Sequence, residues 1–320
     1  MPRDVGRIFI GTVRGRRLLP EGATVWAAVS GGCDSVLMLR LLHGYSAMMS
    51  WKLGVLHVDH RARPGSGEDA GFVERLAGEL GLPFELRRLD PPGGSSPEAA
   101  FSSMRLGIYR ETAGETGLVA VGHTASDRAE TVILRLMEGS GLRGLGGMDY
   151  RGEGPVRRPM LDLTREDVRT GLEEMGQRWV EDPTNQSSSF LRNRIRSVIL
   201  PAIEEVSPGS TLAFARSASL LSGWRDVAEG AAEALVQGMM EDGVMAVSEY
   251  SSLAPVLRLG LLWAVSGRPR GGRTELEKAD RWLCRGGRGR HPLPGGSVLQ
   301  SDGNRASVEE PRSGDGTELI

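Results

Sequence analysis

Lysine is almost missing from this chain: Lys52 and Lys278 are its only two, and arginine carries nearly all the positive charge. Arginine suits paired contact with phosphate, but GC-rich coding produces the same bias, so composition alone names no partner. Cysteine is equally scarce. Cys33 and Cys284 form no CxxC, which argues against a disulfide scaffold, a zinc site or a cysteine-held cluster. No window approaches the roughly 20 apolar residues of a membrane span. The opening stretch MPRDVGRIFIGTVRGRRLLPEG is basic but lacks the apolar core of a signal peptide. A cytoplasmic protein with no membrane partner is expected. Net charge is −2, so any contact with nucleic acid must come from local patches. The chain has no GxxxxGK[ST], which excludes a Walker-type phosphate loop, and no internal repeat.

What is present reads as an α/β protein. Its 320 residues, 39% hydrophobic and 25% charged, suffice for one large domain or two smaller ones. Apolar runs at 24–30, 52–58, 83–89 and 117–123 read as buried strands. Between them, 34–43 is apolar on every face, and 67–81 and 126–138 are amphipathic. Gly81 is a helix stop, Pro97 opens the helix after the PPGGSSP loop, and Ser126 is the expected N-cap of 126–138. Strands alternating with helices predict a parallel sheet covered on both faces. Beyond residue 150 the pattern turns helical at 164–176 and 189–206, breaks at SPGS (207–210), and stays helical to about 286. Short strand-like pieces follow, and 310–320 reads as a disordered tail.

Ligands in such sheets sit beyond the carboxyl ends of the strands. SGGCDS, HVDH and GHTASD all fall at such ends. In the first, Gly31 and Gly32 let the backbone approach a ligand closely. The turn presents unpaired N–H groups at the positive end of the next helix, which makes an anion site. Ser30 and Ser35 add hydroxyl donors. Asp34 would be repelled by bare phosphate and makes sense with magnesium between them. Asp127 and Glu130 are three apart, hence on one helix face. The alternative is solvated helix charges, with Glu130 merely supporting the first turn. His57, His60 and His123 sit at strand ends. The His-x-Asp-His spacing is poor for zinc, so pocket lining is the favoured role. In LRNRIR, Arg192 and Arg196 share a helix face while Arg194 points elsewhere.

Ser30-Gly31-Gly32-Cys33-Asp34-Ser35 is the complete S-G-G-x-D-S signature of the PP-loop ATP pyrophosphatases. HVDHRAR (57–63), HTASDRAET (123–131), GSGLRGLGGM (139–148), RRPMLDLTRED (157–167) and WVEDPTNQSSSFLRNRIRSVILP (179–201) follow in order. Together they resemble the tRNA(Ile)-lysidine synthetases, from about 24 to 206 and more faintly through 290–309. The resemblance implies a five-stranded parallel sheet of the adenine nucleotide alpha hydrolase type, followed by a mostly helical C-terminal domain with a small β element. It implies a PP-loop catalytic domain over 1–210 and a tRNA-contacting domain over 211–309. It also implies a two-step ligation. ATP adenylates the C2 oxygen of the wobble cytidine in a CAU anticodon. Free L-lysine then displaces AMP through its ε-amine.

On that resemblance Ser30, Gly31, Gly32, Cys33, Asp34, Ser35, His57, Val58 and His123 would bind ATP. Asp34, Arg105, Asp127 and Glu130 would be catalytic, with Asp34 on magnesium. Arg192, Asn193, Arg194 and Arg196 would bind tRNA. The sequence allows a homodimer without specifying one. Two departures stand out. The family's H-x-x-D-D-Q-x-E-T has Ser126 for its first Asp and Arg128 for its Gln. Its E-A-x-A-R-x-x-R-Y keeps Glu98 and Arg105 but has Ser102 for the first Arg and Leu106 for the Tyr. Arg105 or Arg128 is the candidate substitute beside the α-phosphate. The rivals are a tRNA thiolase, an amide-forming PP-loop enzyme, and a protein that binds ATP or tRNA without catalysis.

Overall fold

Thr24–Ala28 is a strand of alternating buried positions, and its neighbours complete a sheet that buries it on both sides. In a computed structural model, residues 3–59, 66–89, 97–181, 191–269 and 271–309 are described. The order is α1 (Val5–Gly15), β1 (Thr24–Ala28), α2 (Cys33–Ser46), β2 (Lys52–Asp59), α3 (Ser66–Glu79), β3 (Phe84–Arg88), α4 (Pro97–Ala113), β4 (Leu118–Val121), α5 (Ala125–Met137), α6 (Leu142–Leu145), β5 (Val156–Arg157), α7 (Arg165–Glu174), α8 (Leu191–Arg194), α9 (Leu200–Val206) and α10 (Ser210–Met239). A π-helical turn, Ile195–Ile199, joins α8 to α9. Then come β6 (Val244–Ala246), α11 (Val247–Ser252), α12 (Pro255–Val265), α13 (Arg273–Cys284), β7 (Arg288–Pro292), β8 (Val298–Asp302) and β9 (Arg305–Glu309).

The chain divides into two units, Met1–Ser222 and Gly223–Ile320, so the division falls inside α10. The first unit holds a parallel sheet in the order β3-β2-β1-β4-β5. On one face Val25 and Ala27 of β1 and Val55 of β2 pack with Val36, Leu37 and Leu39 of α2. Phe9 of α1 and Val168 and Leu172 of α7 join them. Each fully buried leucine in such a layer stabilises by roughly 1.5–3 kcal/mol. On the other face Val119, Val121 and Val156 meet Leu106 and Tyr109 of α4.

The second unit has its own core. Met245, Tyr250, Leu261, Leu276, Leu283 and Leu299 pack between α11–α13 and an antiparallel sheet ordered β6-β9-β8-β7.

The expected α/β sheet and helical C-terminal part are present, and the long elements fall where the periodicity puts them. Gly81 adopts φ +65° just past α3, as a helix stop requires. Four elements differ. The basic N-terminal stretch is a helix, α1. The two-residue β5 and three-residue β6 are too short to leave a pattern. And α5 starts one residue early: Thr124, not Ser126, is its N-cap, in a reciprocal capping box with Asp127. The PPGGSSP loop before Pro97, His60, the segment EDPTN beyond Glu181 and the 310–320 tail lie outside the described residues, as does the side chain of Glu98.

Candidate active site

β1 feeds directly into the Gly-rich turn. Val29 N–H donates to the Leu56 carbonyl at 2.9 Å, holding the strand end against β2. Gly31 then turns with φ +96°, a conformation side chains rarely adopt, and its carbonyl accepts from Val180 N–H at 2.9 Å. Ser35 closes the loop from inside. Its Oγ accepts from Ser30 N–H at 3.1 Å and donates to the Gly32 carbonyl at 2.9 Å. Ser30 Oγ lies 3.2 Å from it. The buried Ser35 hydroxyl is therefore spent on the loop, and Ser30 is the hydroxyl nearer solvent. Gly32 is the N-cap of α2 and no side chain caps it, so the leading N–H groups of α2 stay open for an outside acceptor. Gly122, ending β4, packs so closely that a Cβ there would meet the Asp34 and Ser35 backbone at 3.0 Å. That contact brings the start of α5 to the start of α2.

At the start of α5, Asp127 and Glu130 are both buried. Asp127 Oδ2 accepts from Thr124 N–H at 2.8 Å and Thr124 Oγ1 at 2.9 Å. Its Oδ1 faces Arg165 Nη2 and Arg196 Nη2, each at 3.4 Å. Glu130 has no exposed surface. Its Oε1 accepts from Arg165 Nη1 at 3.1 Å and Arg196 Nε at 2.8 Å, and its Oε2 from Arg192 Nε at 3.3 Å and Arg196 Nη2 at 3.1 Å. A carboxylate so enclosed is satisfied by its arginines. Ser126 is not idle either: its Oγ accepts from Arg165 N–H at 3.0 Å, tying the first residue of α7 to α5.

The charges act on one another. Burial, and then repulsion by Asp127, push the Asp34 carboxyl up to about 6 against the pull of Arg165 and Arg196. For Asp127, burial raises the pKa, but Arg165, His123 and the Thr124 hydrogen bonds outweigh it and hold the carboxyl below its ordinary range. His123 accepts at Nδ1 from Arg158 Nε at 3.0 Å, which leaves the ring proton on Nε2. Burial and the Arg158 guanidinium push His123 down to about 4, so the ring is neutral near pH 7. Burial and Asp34 push the Cys33 thiol up to about 11, an inert side chain in the loop's variable position.

The remaining expected residues fall as follows. His57 is buried and its Nδ1 donates to the Val29 carbonyl at 2.7 Å, bracing the strand ends. Val58, next on β2, is half-buried. Arg105 of α4 is half-buried within electrostatic range of His123 and Tyr109. Ser102 is exposed. Arg128 does not reach this group: it is 1% exposed, its guanidinium 4.9 Å from the centre of the Tyr150 ring. Arg192 and Arg196 turn inward to Glu130, while Arg194 is exposed and Asn193 half-buried.

The PP-loop domain family matches residues 16–203 of this chain. The tRNA(Ile)-lysidine synthase of Parasynechococcus marenigrum is 32% identical over 313 residues, covering 93% of this chain and 92% of its own. That of Salinispora arenicola is 34% identical and covers 92% of each. This chain belongs to the tRNA(Ile)-lysidine synthase family of PP-loop proteins. The Solibacter usitatus synthase is 43% identical over 189 residues, but those are 58% of this chain and 42% of its own greater length. A U34-tRNA thiolase from Methanococcus maripaludis shares the fold, with TM-score 0.57 and 22% identity over 68% of this chain and 78% of that one.

In this PP-loop protein the sequence signals led to Asp34, Asp127 and the open turn. They missed Thr124, Arg158 and above all Arg165. Each was visible only as a residue inside a quoted motif, with nothing local to mark its partner. As for magnesium, no cluster of three or more His, Cys, Asp or Glu residues exists among the described residues. The donor set is instead the Asp34 carboxylate beside that of Asp127, one of them raised by the other's charge. Magnesium is usually bound by one or two carboxylates together with substrate phosphates, so the residues fit it.

Proposed function

We propose that this protein makes lysidine: it ligates lysine to C2 of the wobble cytidine of a CAU-anticodon isoleucine tRNA, spending ATP to AMP and pyrophosphate. The observation that carries the reading is the meeting of the uncapped start of α2 with the carboxylates of α5 at one sheet edge, in a chain aligned end to end with lysidine synthases.

In this reading the N–H groups after Gly31 and the Ser30 hydroxyl grip the pyrophosphate part of ATP. The C2 oxygen of cytidine attacks the α-phosphorus and pyrophosphate leaves. The lysine ε-nitrogen then attacks C2, and the C–O bond breaks to release AMP. Magnesium held by Asp34 would neutralise phosphate charge in the first step. Asp127, its carboxyl kept low, stays ionised and orients the ε-ammonium. Glu130 sets Arg165, Arg192 and Arg196 around the site. Arg165 and Arg196, both near Asp34, supply positive charge beside the phosphates in a chain whose family arginine is Ser102. The exposed Arg194, with Asn193 beside it, faces the tRNA in this reading. A thiolase reading fares worse. The two cysteines lie in different units, and the one in the loop is held far above thiolate range.

The test is release of AMP and pyrophosphate from purified protein with a CAU tRNA transcript, comparing lysine with other amino acids. Stable adenylated product should need ATP and tRNA, and AMP release should need lysine. Asp127→Asn should fold, still bind ATP, and lose at least roughly 100-fold in lysine transfer. Near-normal transfer by that variant would remove Asp127 from its role. Turnover independent of lysine would sink the ligase reading.

A further inference from the structure

α1 lies outside the residues that match the PP-loop family, and the chemistry above gives it no task. Its inner side is ordinary: Val5, Phe9 and Val13 enter the core. Its outer side is basic. Arg7, Arg14, Arg16 and Arg17 are exposed, and before Glu21 the only acid is Asp4, the helix N-cap, which accepts from Arg7 N–H at 2.9 Å. Among the described residues, Arg7, Arg14 and Arg17 form no ion pair.

Arg7 and Arg16 border a groove of about 590 Å³ that also touches Gly11, Gly15, Thr12 and Asp162. At Gly11 and Gly15 nothing beyond the adjoining helix backbone lies within 4 Å of where a Cβ would be, so a ligand backbone can come close to the helix. The Arg16 guanidinium is held 3.8 Å from the Tyr150 ring centre. Arg151 Nη2 donates to the Arg16 and Arg17 carbonyls at 3.2 and 2.8 Å, bringing another cation to the same end. The one carboxylate in the groove, Asp162, is engaged at both oxygens: Tyr150 O–H and Thr12 O–H donate to it at 2.6 Å each. Positive charge is thus concentrated on one face of a chain whose net charge is −2.

We propose that this outer face of α1 is a second contact for the tRNA, taking its phosphodiester backbone away from the reacting base. The chemistry fits phosphate and not base recognition. The face offers guanidinium forks and a glycine floor, with no exposed aromatic side chain to stack a base. The contact is therefore independent of sequence and sensitive to salt. It rests on the tRNA reading above.

Two full-length variants test it. One is Arg7→Ala/Arg14→Ala/Arg17→Ala. The other, Gly11→Glu, keeps every arginine but places a carboxylate in the groove at an open helical position. Affinity for the CAU transcript is measured from 50 to 200 mM salt, with kcat and KM for tRNA, ATP affinity and the melting midpoint alongside. The expected result is tRNA binding weakened roughly 10- to 100-fold at low salt, with a salt slope shallower by about two for the triple variant. KM for tRNA should rise while kcat, ATP affinity and melting midpoint hold. An unchanged slope and KM in both variants, with wild-type turnover normal, overturns the α1 contact and leaves the ligase reading intact. Failure of the wild type to bind the transcript overturns both. Unaltered tRNA binding with lost binding to vesicles of anionic phospholipid assigns the face to a membrane surface and overturns the proposal.

Discussion

Asp34 and His123 show how one buried neighbourhood moves two groups in opposite directions. Charging either is penalised by burial, so the acid's pKa rises to about 6 and the imidazole's falls to about 4. Their effects on stability oppose. His123 binds a proton less readily folded than unfolded, so its contribution is lost as pH falls from its ordinary 6.5 toward 4. Asp34 binds one more readily folded than unfolded, so stability is gained as pH falls from about 6 toward its ordinary 3.8. Across that window the two largely offset each other. Without nucleotide or metal, Asp34→Asn should therefore be more stable than wild type at pH 7, yet lose stability more steeply on acidification. His123→Gln, which keeps an acceptor for Arg158, should gain stability as pH falls through the same range. Urea midpoints at half-unit steps from pH 4 to 7.5 decide this. Parallel curves for wild type and both variants would mean that neither group carries the shift assigned to it.

Among the elements, the β1–α2 turn depends most on backbone conformation. A side chain at Gly31 must adopt φ +96° and meet Val180 Cγ2 at 3.4 Å. Gly31→Ala should cost about 1–2 kcal/mol and lower affinity for ATP, because the turn that aims the N–H groups would relax. Gly11→Ala, on an open helical surface, should instead stabilise by about 0.5–1 kcal/mol. Equal melting midpoints for the two would show that the turn is not strained by a side chain. The Gly-Gly turn was legible in sequence because everything it needs is local: two glycines, an inward serine and the flanking strand and helix. The cap of α5 was not. Ser126 and Thr124 are both good caps, and the choice fell to Thr124 because Ser126 is drawn off to the Arg165 amide on α7. Likewise Arg192 and Arg196 share one helix face in the sequence, where the resemblance implies an outer, tRNA-binding one. The π-helical turn and the enclosed Glu130 make them an inner one.

At the scale of the molecule, two units carry separate cores, and the Gly-rich turn lies in the first. No helix among the described residues is long and apolar enough to cross a membrane. In the second unit Tyr250 O–H and Arg258 Nε both donate to the buried Asp280 at 2.7 Å. Magnesium with ATP should slow amide exchange in β1, α2 and the start of α5, with little change in α11–α13. Tyr250→Phe should do the reverse: it should speed exchange in α11–α13, with a loss of about 1–2 kcal/mol, and leave the nucleotide response intact. Protection of α11–α13 by nucleotide equal to that of α2 would contradict the placing of ATP in the first unit alone.

The sequence by itself determined the parallel sheet, the Gly-rich turn at its edge and the family. All three are written in residues near one another in the chain, as periodicity, turn chemistry and ordered motifs. Only the tertiary structure decided which charges meet. Arg165, Arg192 and Arg196 close on Glu130, 35 to 66 residues away in sequence, and Asp127 lies close enough to lift Asp34. Such pairings depend on which helix starts pack together in space, and a linear pattern carries no record of that.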